Sequence, residues 1–345
     1  MTSAQIRHIA THLLTPLLMC LGMGLAYLGA FHQPAPNHLA IAVVGDSAQV
    51  KVLAQTLKDT GGNALDVITL PSRDAAITQL RNRDLAGAYV PDAQHPEALV
   101  AKAGSDTTAM AAEAVFGQIA AKQGAVMTTT DITTAASGDP TGQGIFFLLV
   151  ALSIGSYGSV AAIGAAGAGM SMWAKGLIGL VTSLLVSLIG LALAGPVFHI
   201  VDHDNAAVWA MSWLYSAGIL AVGIGAHTFL KRWTTLAMMV LFVMLNFTTS
   251  GGVYTPWLQN DFFGALHSFW NGAGFVEGAR SLLYFDSASF GPRLTSLFVW
   301  FGAGLLVMIA AAVAEKRQAA SAPRHAAVAE PVAEAEEEME ETVGV

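Results

Sequence analysis

Charge and cysteine are both scarce in this chain. Of 345 residues only 12% are Asp, Glu, Lys or Arg, while 54% are apolar. With a mean hydropathy of +0.55, that lies outside the range of ordinary soluble domains, where about a quarter of residues are charged. The composition is that of a membrane protein. Cys20 is the one cysteine and sits in an apolar run, which excludes an intrachain disulfide and a multi-cysteine zinc centre. No basic stripe with interleaved aromatics occurs, so no nucleic-acid partner is expected. Neither G-x-G-x-x-G nor G-x-x-x-x-G-K-[ST] is present, so the chain offers no phosphate-cradling loop of its own. The formal net charge of −8 owes much to one run, "EPVAEAEEEMEE" (Glu330 to Glu341). It says little about a folded surface.

What the chain has is long apolar runs. Leu13 to Phe31, Ile145 to Gly169, Leu177 to His199, Ala206 to Phe229 and Leu294 to Ala314 each meet the roughly 17 to 25 residues that a helix needs to cross a bilayer. A shorter sixth, Thr234 to Phe247, crosses only with help from its flanks. Lys and Arg should be in excess on the cytoplasmic side. With six spans, Arg7, Lys175, Lys231, Arg232, Lys316, Arg317 and Arg324 all fall on one side. Both termini are therefore expected in the cytoplasm of a bacterial cell. Residues 1–12 form the inner N-terminus, 13–31 an uncleaved anchor, 32–143 an outer domain and linker, and 144–314 the membrane domain. Residues 315–345 read as a disordered acidic tail.

Within the outer segment the pattern changes to short strands and helices. "LAIAVVGD" (Leu39 to Asp46) reads as a buried strand followed by a turn, and "ALDVITL" and "LAGAYVP" as further strands. Gly45 and Asp46 read as turn and cap of the helix that follows the first strand, and Ser72 takes a good N-cap position for the next helix. A fourth strand is expected around Leu99 to Ala103, and a helix from Thr107 to Lys122. This alternation predicts a small α/β domain with a largely parallel sheet. "TTTDITTAASGDPTGQG" (Thr128 to Gly144) lacks apolar periodicity and reads as an extended linker. No constellation of nucleophile, base and orienter stands out, so no enzymatic activity is expected.

Polar residues inside the apolar half are the candidate functional ones. Ser153, Ser156 and Tyr157, with Ser159, form a polar stripe on the second span, where close helix packing at Gly155 and Gly164 is the plainer reading. "HIVDHD" gathers His199, Asp202, His203 and Asp204. These are weak candidates for a transition-metal site because spacing fixes no third strong ligand. The "NFT" at Asn246 matches a glycosylation acceptor but abuts a hydrophobic span. The stretch "VMLNFTTSGGVYTPWL" (Val243 to Leu258) stops a membrane helix with Ser250, Gly251, Gly252 and Pro256. After it, "DFFGALHSFWNGAGFVEGARSLLYFD" (Asp261 to Asp286) carries Glu277 and Arg280, a load that a lipid-facing helix tolerates badly. Two half-helices, Phe262 to Trp270 and Phe275 to Phe285, hinged at "NGAG", would dip into the outer leaflet and return as a re-entrant segment within 255–290. Glu277 and Arg280 are three apart, so they can pair and also line an outward route.

The expected fold is a polytopic α-helical membrane protein. Six transmembrane helices carry a re-entrant half-helix pair before the last, and a small extracytoplasmic α/β domain lies between helices 1 and 2. This plan, with "AIAVVGD", "DAAITQLRNRDLAGAYVPD", "TTSGGVYTP" and "FFGALHSFWNGAGFVEGARSLLYFD", resembles type-2 ABC exporter permeases, in particular their phage-infection-protein-like branch. The resemblance extends to about Glu315. It implies a homodimeric or internally paired permease that moves a hydrophobic or amphipathic molecule outward, with no cofactor in this chain and ATP bound by a separate cytoplasmic ATPase subunit. Ser250, Gly251, Gly252, Pro256, Glu277 and Arg280 would shape its outer gate. The turn "AGMSMWAKG" (Ala168 to Gly176) departs from the pattern, being short for a helix that docks an ATPase. The alternative is a non-transporting envelope protein whose α/β domain is a binding or receptor module.

Overall fold

The computed structural model describes residues 3–321. The acidic run at the C-terminus, read above as disordered, lies outside the described residues.

The α/β domain, called the outer domain below for its expected side, is built from β1 (Leu39–Val44), α2 (Ala48–Gly61), β2 (Leu65–Leu70), α3 (Arg73–Arg81), β3 (Gly87–Val90), β4 (Glu97–Val100), α4 (Asp106–Lys122) and β5 (Thr128–Asp131), following α1 (Ser3–Phe31). Each of its helices starts at a serine whose hydroxyl accepts a backbone N–H of the first turn. Ser47 takes Val50, Ser72 takes Ala75 and Ser105 takes Thr108, so one orphan donor per helix is satisfied. The strand order is β2-β1-β3-β4-β5. Pairing is parallel from β2 to β3, antiparallel between β3 and β4, and parallel again to β5. Two expectations are corrected here. The fourth strand lies two residues earlier and turns back on β3, because only Pro91 to Pro96 separates them and so short a link permits a hairpin but no crossover. The threonine run at 128–131 is an edge strand rather than linker, and α4 supplies the crossover that sets it parallel to β4. Apolar side chains fill both faces of the sheet, Ile41, Val43, Tyr89 and Phe116 on one and Ala42, Leu80, Ala88 and Leu99 on the other.

The remainder is helical: α5 (Gly144–Ala166), α6 (Met172–Ala192), α7 (Asn205–Leu230), α8 (Thr234–Met239), α9 (Leu245–Thr249), α10 (Asp261–His267), α11 (Asn271–Tyr284) and α12 (Phe290–Ser321). Five stretches are long and apolar enough to cross a membrane: Ile9–Phe31, Gly144–Ala166, Met172–Val197, Asn205–Thr249 and Phe290–Ser321. The 45-residue stretch Asn205–Thr249 would be about 67 Å long as one helix, about twice the thickness of the hydrocarbon core. It breaks at Lys231–Trp233, where Lys231 adopts φ +48°, into α7 and the arm of α8 and α9 joined by a π turn. Small residues let the backbones approach: a Cβ on Gly225 would stand 2.7 Å from the Met308 amide nitrogen, and one on Gly304 2.7 Å from Ala221 Cβ. At the end remote from the outer domain, Glu315 joins three helices, accepting from Lys175 on α6 at 3.2 Å and from Thr228 on α7 at 3.1 Å. Residues 315–321, expected in the tail, continue α12.

Two short helices occupy the stretch expected to be re-entrant, and the break between them differs from the expected one. It falls at Ser268–Trp270, and "NGAG" forms the first turn of α11. The start is well motivated: Trp270 is extended, and its indole N–H is held by the Leu241 carbonyl at 3.1 Å. From Asn271 to Ser281 every residue of α11 is buried, packed among α5, α7, α9 and α12.

Candidate functional site

A helix leaves its last carbonyls without intrahelical donors, and in a dry interior those groups must find others. The end of α9 solves this with side chains from downstream. Gln259 Nε2 donates to the Thr248 carbonyl at 2.7 Å, and His267 Nδ1 to that of Thr249 at 2.8 Å. Arg280 Nη1 donates to the Gly251 carbonyl at 2.8 Å, and Nη2 to those of Gly252 at 3.3 Å and Gly142 at 3.2 Å. Ser250 closes the turn locally, its hydroxyl accepting the Gly252 N–H at 3.1 Å. The glycines are required there. Gly251 has φ +77°, and a Cβ on it would stand 2.8 Å from Glu277 Oε1. A Cβ on Gly252 would lie 2.1 Å from the Phe146 ring.

Arg280, 1% exposed, also meets Glu277 Oε1 at 3.2 Å. The carboxylate has a second cation, which the sequence reading missed. Arg83, from the turn after α3 of the outer domain, bonds Glu277 Oε2 and donates to the Glu277 carbonyl at 3.0 Å. Its guanidinium lies 5.0 Å from the Phe285 ring centroid. Around this tie, Thr108 and Thr255 hydroxyls meet at 2.7 Å, Thr107 donates to the Val253 carbonyl at 2.9 Å, and Arg81 reaches Asp286 at 3.1 Å. The outer domain is thus fixed on the helical bundle through the segment that follows α9.

Between the two lies a cleft of about 300 Å³, at the lower end of small-molecule sites. Its walls are apolar at Leu80, Leu85, Trp257 and Phe285, and its polar lining includes Arg83, Asp84, His267, Glu277 and Arg293. Of the expected gate residues, Pro256 and Glu277 line the cleft, while Gly251, Gly252 and Arg280 form the buried layer behind it.

The other candidates lie elsewhere. Ser153 and Ser156 face the bundle interior, and Tyr157 is half-buried. Ser153 bonds the Tyr215 hydroxyl at 2.5 Å, and Asn246 bonds the same hydroxyl. Asn246, whose "NFT" matches a glycosylation acceptor only by pattern, is fully buried in this network. His203 bonds Asp202 at 2.5 Å. His199 stands apart, offering its carbonyl to the Gly138 N–H at 3.1 Å, and among the described residues no three His, Cys, Asp or Glu side chains gather to hold a metal.

Comparison of the chain with protein-family models, with curated proteins and with solved structures finds no match in any of the three.

Proposed function

We propose that this chain is the membrane subunit of an exporter that moves an amphipathic molecule outward, energised by a separate ATPase. The observation that carries the reading is the cleft, which joins the outer domain to the bundle and combines apolar walls with charged groups. In this reading α1, α5, α6, α7, the α8–α9 arm and α12 are six crossings. The break at Lys231–Trp233 and the gathering of Lys175, Lys231, Arg232, Lys316 and Arg317 at the end remote from the outer domain support it. The pair α10 and α11 is then the re-entrant segment. The enclosure of α11 by α5, α7, α9 and α12 supports this, since charge and helix ends at membrane depth need protein around them.

A second reading, a non-transporting envelope protein with a receptor module outside, is favoured by one observation. The turn between α5 and α6 spans only Gly167 to Ser171, and that between α7 and α8 only Lys231–Trp233. Little surface is left there for an ATPase. Mild-detergent purification from native membranes, with mass spectrometry of partners and an ATP-hydrolysis assay, separates the two. A stoichiometric ATPase whose inactivation abolishes hydrolysis supports the exporter, and recovery without hydrolysis supports the receptor.

A further inference from the structure

Arg83 and Arg293 line the cleft with Arg280 in the buried layer behind it, and two of these three guanidiniums share one carboxylate. Arg83 and Arg280 divide the oxygens of Glu277 between them. Arg293 lines the same cleft from the first turn of α12. Among the described residues no carboxylate comes within 4.0 Å of it, and its side chain has no hydrogen-bond partner. The first turn of α12 contains no acidic residue either, so the positive end of the helix dipole adds to the cation instead of offsetting it. A half-buried guanidinium of this kind is costly unless an anion completes it.

The other titratable groups facing the space do not complete it. Glu277 is shared by two arginines and, though its charge is felt at Arg293, stays beyond 4.0 Å of it, His267 spends Nδ1 on the Thr249 carbonyl, and Asp84 stands exposed. Asp139 is buried next to Gly144, behind Arg280 and away from the lining. The lining also offers apolar surface at Leu85, Trp257 and Phe285, the last lying against the Arg83 guanidinium. We propose that the cleft binds a single-chain amphiphile with a compact anionic head, phosphate or carboxylate. The head sits on Arg293 and the tail lies along Leu85, Trp257 and Phe285. A volume of about 300 Å³ takes such a head and the first part of one chain, and is too small for a two-chain bilayer lipid. This assigns the charge of the substrate under the exporter reading and rests on that reading for its role, whereas binding itself is independent of any ATPase.

The test is calorimetric titration of the full chain in phosphatidylcholine nanodiscs, with empty discs subtracted. The probes are decyl phosphate, inorganic phosphate and decyltrimethylammonium. Decyl phosphate is expected to bind at least tenfold more tightly than either of the others. R293Q should weaken it by about tenfold or more, and R293K should retain most of the affinity. Equal affinity for the cationic amphiphile, or R293Q binding like wild type, would overturn the proposal. Loss of decyl phosphate binding when an anionic two-chain lipid is added to the discs would overturn it in favour of a bilayer headgroup. If R293Q does not fold, the comparison of the three probes on the wild-type chain, with R293K, decides alone. Because the readout is occupancy, a missing ATPase partner leaves this result intact and counts only against the exporter reading.

Discussion

Replacing Glu277 by Gln removes the one carboxylate that Arg83 and Arg280 share. Arg280 is 1% exposed, and stripping a buried cation of its partner costs about 3–5 kcal/mol. Arg83→Gln removes less. Glu277 keeps Arg280, the Arg83 side chain retains some contact with water (16% exposed), and the loss is a charge-assisted interaction worth about 1.5–3 kcal/mol. Because the ion pair with Arg83 is already gone once Glu277 is neutral, and only the Arg83 bond to the Glu277 backbone carbonyl and its contact with Phe285 remain to be lost, the double variant should cost little more than Glu277→Gln alone, leaving a coupling of about 1–2 kcal/mol. Unfolding entropy of about 2.1 cal/mol/K per residue converts about 4 kcal/mol into a Tm shift of roughly 5 °C for a chain of this length. Intrinsic tryptophan fluorescence during a thermal ramp, in identical lipid discs, should therefore show falls of roughly 5 °C for E277Q, 2–3 °C for R83Q and 5–6 °C for the pair. Full additivity, or an R83Q loss equal to that of E277Q, would refute the claim that one carboxylate serves both arginines.

Other predictions test the parts separately. Gly252→Ala places a methyl 2.1 Å from the Phe146 ring and should destabilise by about 1–3 kcal/mol or more, lowering the monodisperse fraction on size-exclusion chromatography. Gly264→Ala, whose Cβ would meet only Pro256 at 3.7 Å, should be neutral in the same assay. In the outer domain Arg73 grips Glu97 through two hydrogen bonds of 2.8 Å, and this pairing holds the Glu97 carboxyl below its ordinary range. A depressed folded-state value adds stability that is present above the unfolded glutamate pKa of about 4.3 and is lost as pH falls below it. Protection of the β4 amides, taken against their intrinsic exchange rate at each pH, should fall over that acid window in the wild type and respond less in Arg73→Gln. For topology, Cys20→Ser chains carrying a cysteine at Gln94 should react with an impermeant maleimide in intact cells. Those carrying one at Lys231 or Arg317 should react only after permeabilisation, and early labelling at either would contradict the six crossings.

The first three strands, the helices between them and the apolar helices were legible because local rules produce them: the Ser72 cap, period-two and helical patterning, and run length, although Asp46 was read as the cap where Ser47 serves. The direction of β4 was not, since direction follows from which strand it returns to. The edge strand β5 was hidden because a threonine run at a sheet margin shows no apolar alternation. Glu277 and Arg280 stood out as charges in an apolar stretch, and their spacing of three suggested the pair that is found. Arg83 could not be found that way, because it meets Glu277 across 194 positions of chain and looks like any surface arginine after a helix. One clue was present. A helix that ends in Ser-Gly-Gly beneath a membrane surface strands several carbonyls, so buried donors had to come from somewhere. Gln259, His267 and Arg280 are those donors.

The most direct measurement of the account is uptake of radiolabelled decyl phosphate into inverted membrane vesicles from cells that express the chain with its native neighbours. ATP-dependent accumulation above vesicles lacking the chain, reduced by about tenfold in R293Q, is the expected result. Accumulation that is the same with or without the chain, at matched protein levels and with ATP present, would contradict it.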